Sequence, residues 1–322
     1  MLPLELKGKV IKLPETDSHT IVIITGKSLR HKRFSYRIQK EFGKSVVAWY
    51  ELDSDYEVKY AKTTGNQDRG SSFSDSKSKK FLRLSKEIIP CIFKGGLVKT
   101  VSRSLSSFRY KREKRSDDLG DMRAQKELFE KEVEGLKAFA VVEPEKINPA
   151  DVHTSFFIDQ IKGLDPYFFL TLGGPIYKMP LLEVIRGIGI NQHAGHSPVL
   201  RGANTIKWAL YNRSLNYVSS TIHMLTCDVD GGPILRRSNP CIFPHDSVGK
   251  IKARVVALGT ELMIEVVKDI INNKNVRIFE QPKTIGKTYL SEEYTRHIRS
   301  SIARDFEAGW LTKELERLRG SY

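Results

Sequence analysis

The fold class of this 322-residue chain is predicted by short apolar runs that alternate with segments of helical periodicity. Residues 19–26 read His-Thr-Ile-Val-Ile-Ile-Thr-Gly, an uninterrupted run of strand length that stops at a glycine. Such runs are typical of strands that are buried on both faces of a parallel sheet. Further runs of this kind occupy residues 45–50, 138–142, 165–175 and 188–190.

Helical patterns separate these runs, and they lie at residues 27–42, 121–137, 148–161 and 247–272. Residues 148–151 read Asn-Pro-Ala-Asp and are predicted to cap the helix that ends at Ile161. Strands that alternate with helices predict an α/β fold with a doubly wound, mostly parallel sheet. Ligands are expected at the carboxyl ends of the strands of such a sheet.

The domain organisation is predicted from changes in composition along the chain. Residues 1–18 are expected to form an N-terminal arm, residues 19–280 the main domain and residues 281–322 a helical C-terminal extension. Most of the net charge of +15 lies in a basic insert, residues 59–115, which holds 16 Lys and Arg against four acidic residues. Within the insert, the Gly-, Ser- and Lys-rich residues 63–80 predict a mobile loop, and residues 86–110 predict ordered structure.

Composition also excludes several classes of protein. No run of about 20 apolar residues is present, so no membrane span is predicted. The three cysteines, Cys91, Cys227 and Cys241, are odd in number and lack Cys-x-x-Cys spacing, so neither a disulfide framework nor a zinc site is indicated. The expected location is the cytoplasm.

Polar residues interrupt the apolar pattern at one strand end. The run that begins at residue 188 stops at Asn191, and because side chains alternate along a strand, Asn191 and His193 are predicted to project to one side. The same alternation in residues 218–224 predicts that Thr221 and His223 share a face. A turn that contains Asp230 follows, closed by residues 231–233, which read Gly-Gly-Pro.

The spacing of these residues resembles the formyltransferase family that uses 10-formyltetrahydrofolate. Its motif is Asn-x-His followed by Pro-x-x-Arg-Gly, then a strand in which a His precedes the Asp of a glycine-containing turn by seven residues. The sequence matches this motif at Asn191, His193, Pro198, Arg201, Gly202, His223 and Asp230. Residues 195–197 depart from it, since they read Gly-His-Ser where the family has Ser-Leu-Leu.

The resemblance implies transfer of a formyl group from 10-formyltetrahydrofolate to a primary amine, without a metal ion. It implies that Asn191 and a protonated or proton-donating His193 stabilise the oxyanion of the tetrahedral intermediate. Asp230 would orient His193 and accept the amine proton directly or through water, and Thr221 and His223 would support these groups. The residues expected to contact the folate are Gly174, Pro175, Ile176, Cys227, Asp228 and Val229.

The acceptor amine is expected to belong to a small anionic molecule, phosphorylated or nucleotide-linked as in an amino sugar. A basic loop at the strand-to-helix turn after residue 26 is a natural anion site. Lys27, Arg30 and His31 in this loop, together with Arg201, are the residues predicted to bind the acceptor.

Three other functions remain open at this point. The same site could hydrolyse the formyl donor with water. Alternatively, the chain could be a formyltransferase-like scaffold that binds nucleic acid through residues 59–115. Aromatic residues are scarce in residues 62–80, and this scarcity argues against a surface on which bases stack. Formylation of methionyl-tRNA is the third. It is disfavoured because the roughly 40 residues after 281 are too few and too helical for the C-terminal β-barrel that helps those enzymes to hold tRNA.

Overall fold

The computed structural model describes residues 6–16, 18–53, 97–273 and 275–319. In the range 97–273, side chains are described from residue 117 onward. Its contacts divide the chain into two units, residues 1–60 with 120–322, and residues 61–119. The described part of the second unit is helical backbone. The predicted loop at residues 63–80 lies outside the described residues, as does most of the basic insert.

Within the described ranges, one sheet of nine strands organises the first unit. Its strands, in chain order, are β1 (Gly8–Lys12), β2 (Ile21–Thr25), β3 (Val46–Leu52), β4 (Glu145–Ile147), β5 (Phe168–Leu172), β6 (Ile188–His193), β8 (Ser220–Met224), β9 (Ile234–Ser238) and β10 (Asn275–Phe279). Their order across the sheet is β1-β10-β9-β8-β6-β5-β2-β3-β4. Two further strands, β7 (Leu200–Gly202) and β11 (Lys287–Tyr289), form a separate parallel pair.

Strand direction changes at β6. The strands from β4 to β6 pair in parallel, whereas β8, β9, β10 and β1 continue the sheet in antiparallel fashion. The predicted α/β sheet is therefore confirmed, and it is mixed. The antiparallel direction of β8 brings that strand alongside the end of β6, with His223 opposite Asn191 and Thr221 opposite His193.

Helices cover both faces of the sheet, as a doubly wound fold requires. The described helices are α1 (Leu29–Phe42), α2 (Leu97–Leu136), α3 (Ser155–Leu164), α4 (Met179–Leu182), α5 (Thr205–Tyr211), α6 (Val248–Asn273), α7 (Arg296–Glu307) and α8 (Trp310–Arg319). Alternate residues of β2 face opposite layers: Ile23 packs with residues of α1 and α6, and Ile24 packs with residues of α3 and α4. Because both sets are fully buried, β2 contains no polar alternation.

Two local predictions are wrong. Residues 138–142 form no strand, because Gln39 Oε1 accepts hydrogen bonds from the backbone N–H groups of Val141 (2.8 Å) and Val142 (3.0 Å), where a strand would use a neighbouring strand. The helix predicted from residue 148 begins only at Ser155. Its cap is Thr154, whose hydroxyl accepts from Phe157 N at 3.3 Å.

Two short strands were not predicted. The N-terminal arm contains β1, which pairs with β10 at the edge of the sheet, and the C-terminal extension contains β11 before its helices. Neither segment has an apolar run long enough to signal a strand by itself. Among the residues that the structure describes, no helix is long and apolar enough to cross a membrane.

An ion-pair network joins three helices of the first layer, and we predict that it stabilises the fold. Arg33 on α1, with an 8% exposed side chain, donates to Glu132 on α2 at 2.7 Å and to Glu261 on α6 at 3.1 Å. Arg33→Ala would leave two partly buried carboxylates without this partner. We expect the free energy of unfolding in urea to fall by about 2 kcal/mol, since both carboxylates remain partly exposed to water.

The matched control is Lys162→Ala, which removes an exposed cation from α3. We expect that change to stay within about 0.5 kcal/mol of the wild type. An equal effect of the two substitutions would contradict the structural role assigned to Arg33.

Candidate active site

Three neighbouring strands place polar side chains in one row. Thr171 on β5 lies opposite Asn191 on β6, and Asn191 lies opposite His223 on β8. Asn191 and His193 both lie next to the Asp230 carboxylate, and all three line a single cavity together with His223. The sheet thus supplies a rigid base for this group of side chains.

The orientation of the Asn191 amide is determined by its neighbours. Its Oδ1 accepts from the Thr171 hydroxyl at 2.8 Å, and its Nδ2 lies 3.0 Å from His223 Nε2 and 3.4 Å from Asp230 Oδ1. The reverse orientation would direct Oδ1 at the Asp230 carboxylate, two acceptors facing each other. The amide N–H groups of Asn191 are therefore directed toward His223 and Asp230.

The His223 ring is positioned by a backbone carbonyl. Its Nδ1 lies 2.8 Å from Met224 O, which can only accept, so Nδ1 carries a proton. In the neutral ring, Nε2 is then an acceptor for Asn191. His223 is only 2% exposed and acts as a fixed support on the far side of Asn191.

Asp230 is the centre of the group. Its Oδ2 accepts from Gly202 N at 2.9 Å and lies 3.2 Å from His193 Nδ1, and its Oδ1 lies 3.4 Å from His223 Nε2. Burial alone would raise the pKa of this carboxyl, but the two histidines and the Gly202 N–H lower its pKa to about 2. Asp230 is therefore ionised at neutral pH.

The backbone around Asp230 is held in an unusual conformation. Asp230 has φ of +46°, a left-handed value that costs free energy in a residue other than glycine, and Gln281 Nε2 donates to its carbonyl at 2.9 Å. Gly202 has φ of +82°, and a Cβ there would lie 2.4 Å from Tyr289 O. A glycine is thus required for the Gly202 N–H to reach the carboxylate.

Both ring nitrogens of His193 face acceptors. Nδ1 faces Asp230 Oδ2, and Nε2 lies 3.2 Å from Leu200 O. Burial lowers the pKa of His193, and the negative charge of Asp230 opposes this shift without cancelling it. The ring is therefore neutral near pH 7, so of the two forms expected from the resemblance, protonated or proton-donating, the resting ring has the second. The imidazolium that forms on proton uptake would find an acceptor at each nitrogen.

Thr221 supports the loop that follows β6. Its hydroxyl donates to Gly195 O at 2.6 Å and accepts from Ser197 N at 3.3 Å, so it does not line the cavity. A Cβ on Gly195 would lie 2.1 Å from His193 Nε2. The segment that departs from the family motif therefore packs directly against His193.

The cavity beside this group has a volume of about 320 Å³. Five of the six residues predicted to contact folate line it: Gly174, Pro175, Ile176, Asp228 and Val229. Cys227 does not, since its side chain is exposed outside the cavity. Leu172 and Leu225 add apolar surface to the same wall.

The predicted acceptor residues are only partly brought together. Arg30 and His31 line the cavity, whereas Lys27 donates to Asp53 O at 3.0 Å outside it. Arg201 also lies outside, with Nη2 3.5 Å from Ile285 O. Burial lowers the pKa of His31 far below its ordinary value, and the charge of Arg30 lowers it further, so His31 cannot bind an anion by charge.

Three residues of the cavity region were missed by sequence reasoning. Thr171 has a visible signal, because it is a polar residue inside the apolar run of β5. Lys207 on α5 and Lys252 on α6 line the cavity, but each is an ordinary lysine in a helical pattern. Only the packing of the helices brings these two lysines to the strand ends.

Removal of the Thr171 hydroxyl is predicted to slow catalysis without unfolding the protein. Thr171→Val keeps the shape of the buried side chain and deletes the donor that fixes the Asn191 amide. We expect turnover to fall about tenfold, because the free energy of one hydrogen bond corresponds to a rate change of about that size. The melting temperature should stay nearly unchanged. Thr260→Val, the same change at a buried threonine of α6, is the control and should leave turnover unaltered. Equal turnover in the two variants would contradict this role.

The fold and the cavity together define a class of protein. Ionisable residues with shifted pKa values, gathered in a cavity at the strand ends of an α/β sheet, are characteristic of an enzyme of this fold class. Among the described residues, no group of three or more His, Cys, Asp or Glu is arranged to hold a metal ion.

Comparison with known proteins finds similarity to one family over part of the chain. Residues 123–267 match the sequence model of the family described as Formyl transferase. The methionyl-tRNA formyltransferase of Thermodesulfovibrio yellowstonii is 31% identical over 142 residues, which cover 44% of this chain and 45% of that protein. The enzyme of the same name from Trichlorobacter lovleyi is 29% identical over 120 residues, 37% of this chain and 38% of that protein. The chain thus matches less than half of the length of these relatives.

Solved structures give a weaker likeness. A sugar N-formyltransferase from a Shewanella species has a TM-score of 0.46 at 12% identity, over 88% of this chain and 86% of that one. Phosphoribosylglycinamide formyltransferase from Streptococcus pneumoniae has a TM-score of 0.43 at 14% identity, over 79% of this chain and 99% of that one. The segment that matches the Formyl transferase family model, residues 123–267, includes Asn191, His193 and Asp230.

Proposed function

We propose that this chain transfers a formyl group from 10-formyltetrahydrofolate to the primary amine of a small anionic acceptor. The observation that carries the proposal is the connected group of Asn191, His193 and Asp230 at the wall of one cavity. In the reaction, the amine nitrogen forms a bond to the formyl carbon and the bond from that carbon to N10 of the folate breaks. One proton leaves the amine and one is delivered to N10.

The cavity fits the formyl donor in size and chemistry. A volume of about 320 Å³ lies at the lower end of the range of small-molecule sites. The apolar surface from Leu172, Ile176 and Val229 suits the flat ring system of a folate. Polar groups at Asn191 and Asp230 lie beside this surface, where the formyl group would have to react.

Asn191 is the group that we assign to the developing oxyanion. Thr171 and His223 fix the plane of its amide, and the second N–H, which lies 3.4 Å from Asp230 Oδ1, is the donor that we assign to the formyl oxygen as charge develops on it. A donor that is fixed before the reaction stabilises the transition state more than one that must turn toward it.

His193 is the group that we assign to proton transfer. It is neutral at rest, and its protonated form would be stabilised by Asp230 and by Leu200 O. Asp230, with a pKa of about 2, is too weak a base to hold the amine proton at neutral pH, so its role is to orient and stabilise His193. The proton-accepting role that the resemblance implies for Asp230 is therefore assigned to His193.

The experiment that tests this function is a transfer assay with isotopically labelled 10-formyltetrahydrofolate. Acceptors would be amino sugars linked to nucleoside diphosphates, small phosphorylated amines and methionyl-tRNA, the last because the relatives with the stated identities are methionyl-tRNA formyltransferases. We expect label to appear in one amide product. Release of labelled formate at the same rate with and without every amine would instead support hydrolysis of the donor.

A further inference from the structure

A buried glutamine from the C-terminal extension contacts the turn that carries Asp230. Gln281 follows β10 and lies outside residues 123–267, the segment that matches the family model. Its side chain is buried, and its Nε2 donates to Asp230 O at 2.9 Å and to Gly232 O at 2.5 Å. Both N–H groups of one amide are therefore used on the backbone of a single turn.

The orientation of the Gln281 amide follows from these two acceptors. A backbone carbonyl can only accept, so a reversed amide would bring three acceptors together. Among the residues that the structure describes, none donates to the buried Gln281 Oε1. A buried acceptor without a partner costs free energy and calls for an explanation. The two donors of this side chain, which both reach the Asp230 turn, supply that explanation.

The backbone of Asp230 needs such support. Its φ of +46° is a left-handed value that costs a non-glycine residue free energy and persists only where the surroundings hold it. Gln281 donates to the carbonyl of this same residue, whereas the Ser197 hydroxyl lies farther from that carbonyl, at 3.4 Å. The backbone position of Asp230 determines the reach of its carboxylate to His193 Nδ1 (3.2 Å) and to Gly202 N (2.9 Å).

The same extension also holds the other partner of the Asp230 carboxylate. Strand β11 pairs with β7, with Tyr289 opposite Gly202, and Tyr289 O accepts from Ala203 N at 2.9 Å. This pairing places the Gly202 N–H that donates to Asp230 Oδ2. The C-terminal extension therefore contacts the backbone on both sides of that hydrogen bond.

We infer that Gln281 is a positioning residue for the proposed reaction, which holds the Asp230 backbone so that its carboxylate stays against His193. Gln281 does not line the cavity, so it acts through Asp230 and not on a ligand. Without its two hydrogen bonds, the Asp230 backbone would relax toward an ordinary φ and the carboxylate would move away from the imidazole. This inference rests on the proposed function for the word reaction, but the placement of the carboxylate can be measured without catalysis.

The variants of the test are Gln281→Met, which keeps the length of the side chain and removes both donors, and Gln281→Asn. The asparagine keeps an amide that is too short to reach both carbonyls, and it provides the same readouts if the methionine variant does not fold. The matched control is Gln39→Met on α1. Gln39 is also buried and binds two backbone groups, the N–H groups of Val141 and Val142, away from the cavity.

The first measurement is an NMR titration of the His193 ring in the full chain, with its signal assigned by its absence in His193→Gln. The groups that titrate beside this ring are Asp230, at 3.2 Å, and His223, with ring centres 6.4 Å apart, and every variant retains both. The second measurement combines kcat, with whichever amine responds in the transfer assay, and the affinity for a 10-formyltetrahydrofolate analogue that cannot transfer its group.

We expect the pKa of His193 to fall by about 0.5 or more in Gln281→Met, because the charge of Asp230 raises this pKa and a carboxylate that moves away by about 1 Å raises it less. We expect kcat to fall about tenfold and the analogue affinity to stay within about threefold. Gln281→Asn should lie between Gln281→Met and the wild type. Gln39→Met should lower the melting temperature and leave both the pKa of His193 and kcat unchanged.

The pKa of His193 decides the outcome. An unchanged pKa in the folded Gln281 variants would overturn the inference even if kcat falls, since the carboxylate would then have stayed in place. An equal decrease of the pKa in Gln39→Met would also overturn it, because the effect would then be a general one of lost stability. A decrease confined to the Gln281 variants, in a chain that formylates no amine, would support the positioning role while the proposed function fails.

Discussion

Replacement of Asp230 with Asn is expected to lower the turnover of formyl transfer by about 10³-fold or more, the order found when the orienting carboxylate of a catalytic histidine is made neutral. The substitution keeps the shape of the side chain but removes the charge that stabilises a protonated His193 at 3.2 Å. It also places an amide where Oδ2 now accepts from Gly202 N. The measurement is steady-state turnover with 10-formyltetrahydrofolate and whichever amine responds in the transfer assay.

The control for this substitution is Asp269→Asn, which makes the same chemical change at an exposed carboxylate of α6. Turnover of the control should match that of the wild type. A turnover of Asp230→Asn within tenfold of the wild type, with the fold intact by circular dichroism, would contradict the role of Asp230.

Thermal melting of the same variant gives a second readout. The pKa of Asp230 is about 2, below the ordinary carboxyl value of 3.8, so its ionised form contributes stability above about pH 4 and loses that contribution as the pH falls toward 2. The difference in melting temperature between wild type and Asp230→Asn should therefore shrink as the pH is lowered through this window.

Asn191→Ala is expected to lower kcat by about 10² to 10³-fold while the affinity for the non-transferable folate analogue changes little. The amide N–H of Asn191 is assigned to an oxygen that becomes negative only in the transition state, so its loss should affect the reaction step more than binding. Asn216→Ala, which truncates an exposed asparagine before β8, is the matched control and should leave kcat unchanged.

The relative effects of Asn191→Ala on kcat and on the affinity for the folate analogue decide between two roles for Asn191. If kcat is preserved and the analogue affinity falls by 10²-fold, Asn191 contributes to ground-state binding and the oxyanion assignment is wrong. If both decrease together with the melting temperature, the residue supports the local fold instead.

The site could be predicted from the sequence to the extent that strand geometry determines it. The alternation of side chains along β6 is enough to predict that Asn191 and His193 lie together, and both lie next to Asp230. The partnership with Asp230 came from the spacing of the motif, since no local rule brings a turn residue back to a strand end 39 residues away. Thr171 was missed because its role depends on the register between β5 and β6, which the sequence of β5 does not specify.

Tertiary contacts account for the errors in the fold and in the acceptor site. Residues 138–142 have the composition of a strand, but the side chain of Gln39 takes their backbone hydrogen bonds. His31 follows the first buried strand as an anion-binding residue would, yet its burial in α1 keeps it neutral. The cations that reach the cavity, Lys207 and Lys252, come from helices whose positions are determined by packing rather than by sequence spacing.

The central claim is that the cavity beside Asn191, His193 and Asp230 binds the formyl donor, and one titration tests it directly. The wild-type chain would be titrated by calorimetry with the non-transferable 10-formyltetrahydrofolate analogue. We expect saturable binding of one analogue per chain, with an affinity that Asn191→Ala retains within a few-fold. Absence of binding by the folded wild type would show that the cavity does not bind the formyl donor and would contradict the proposed function.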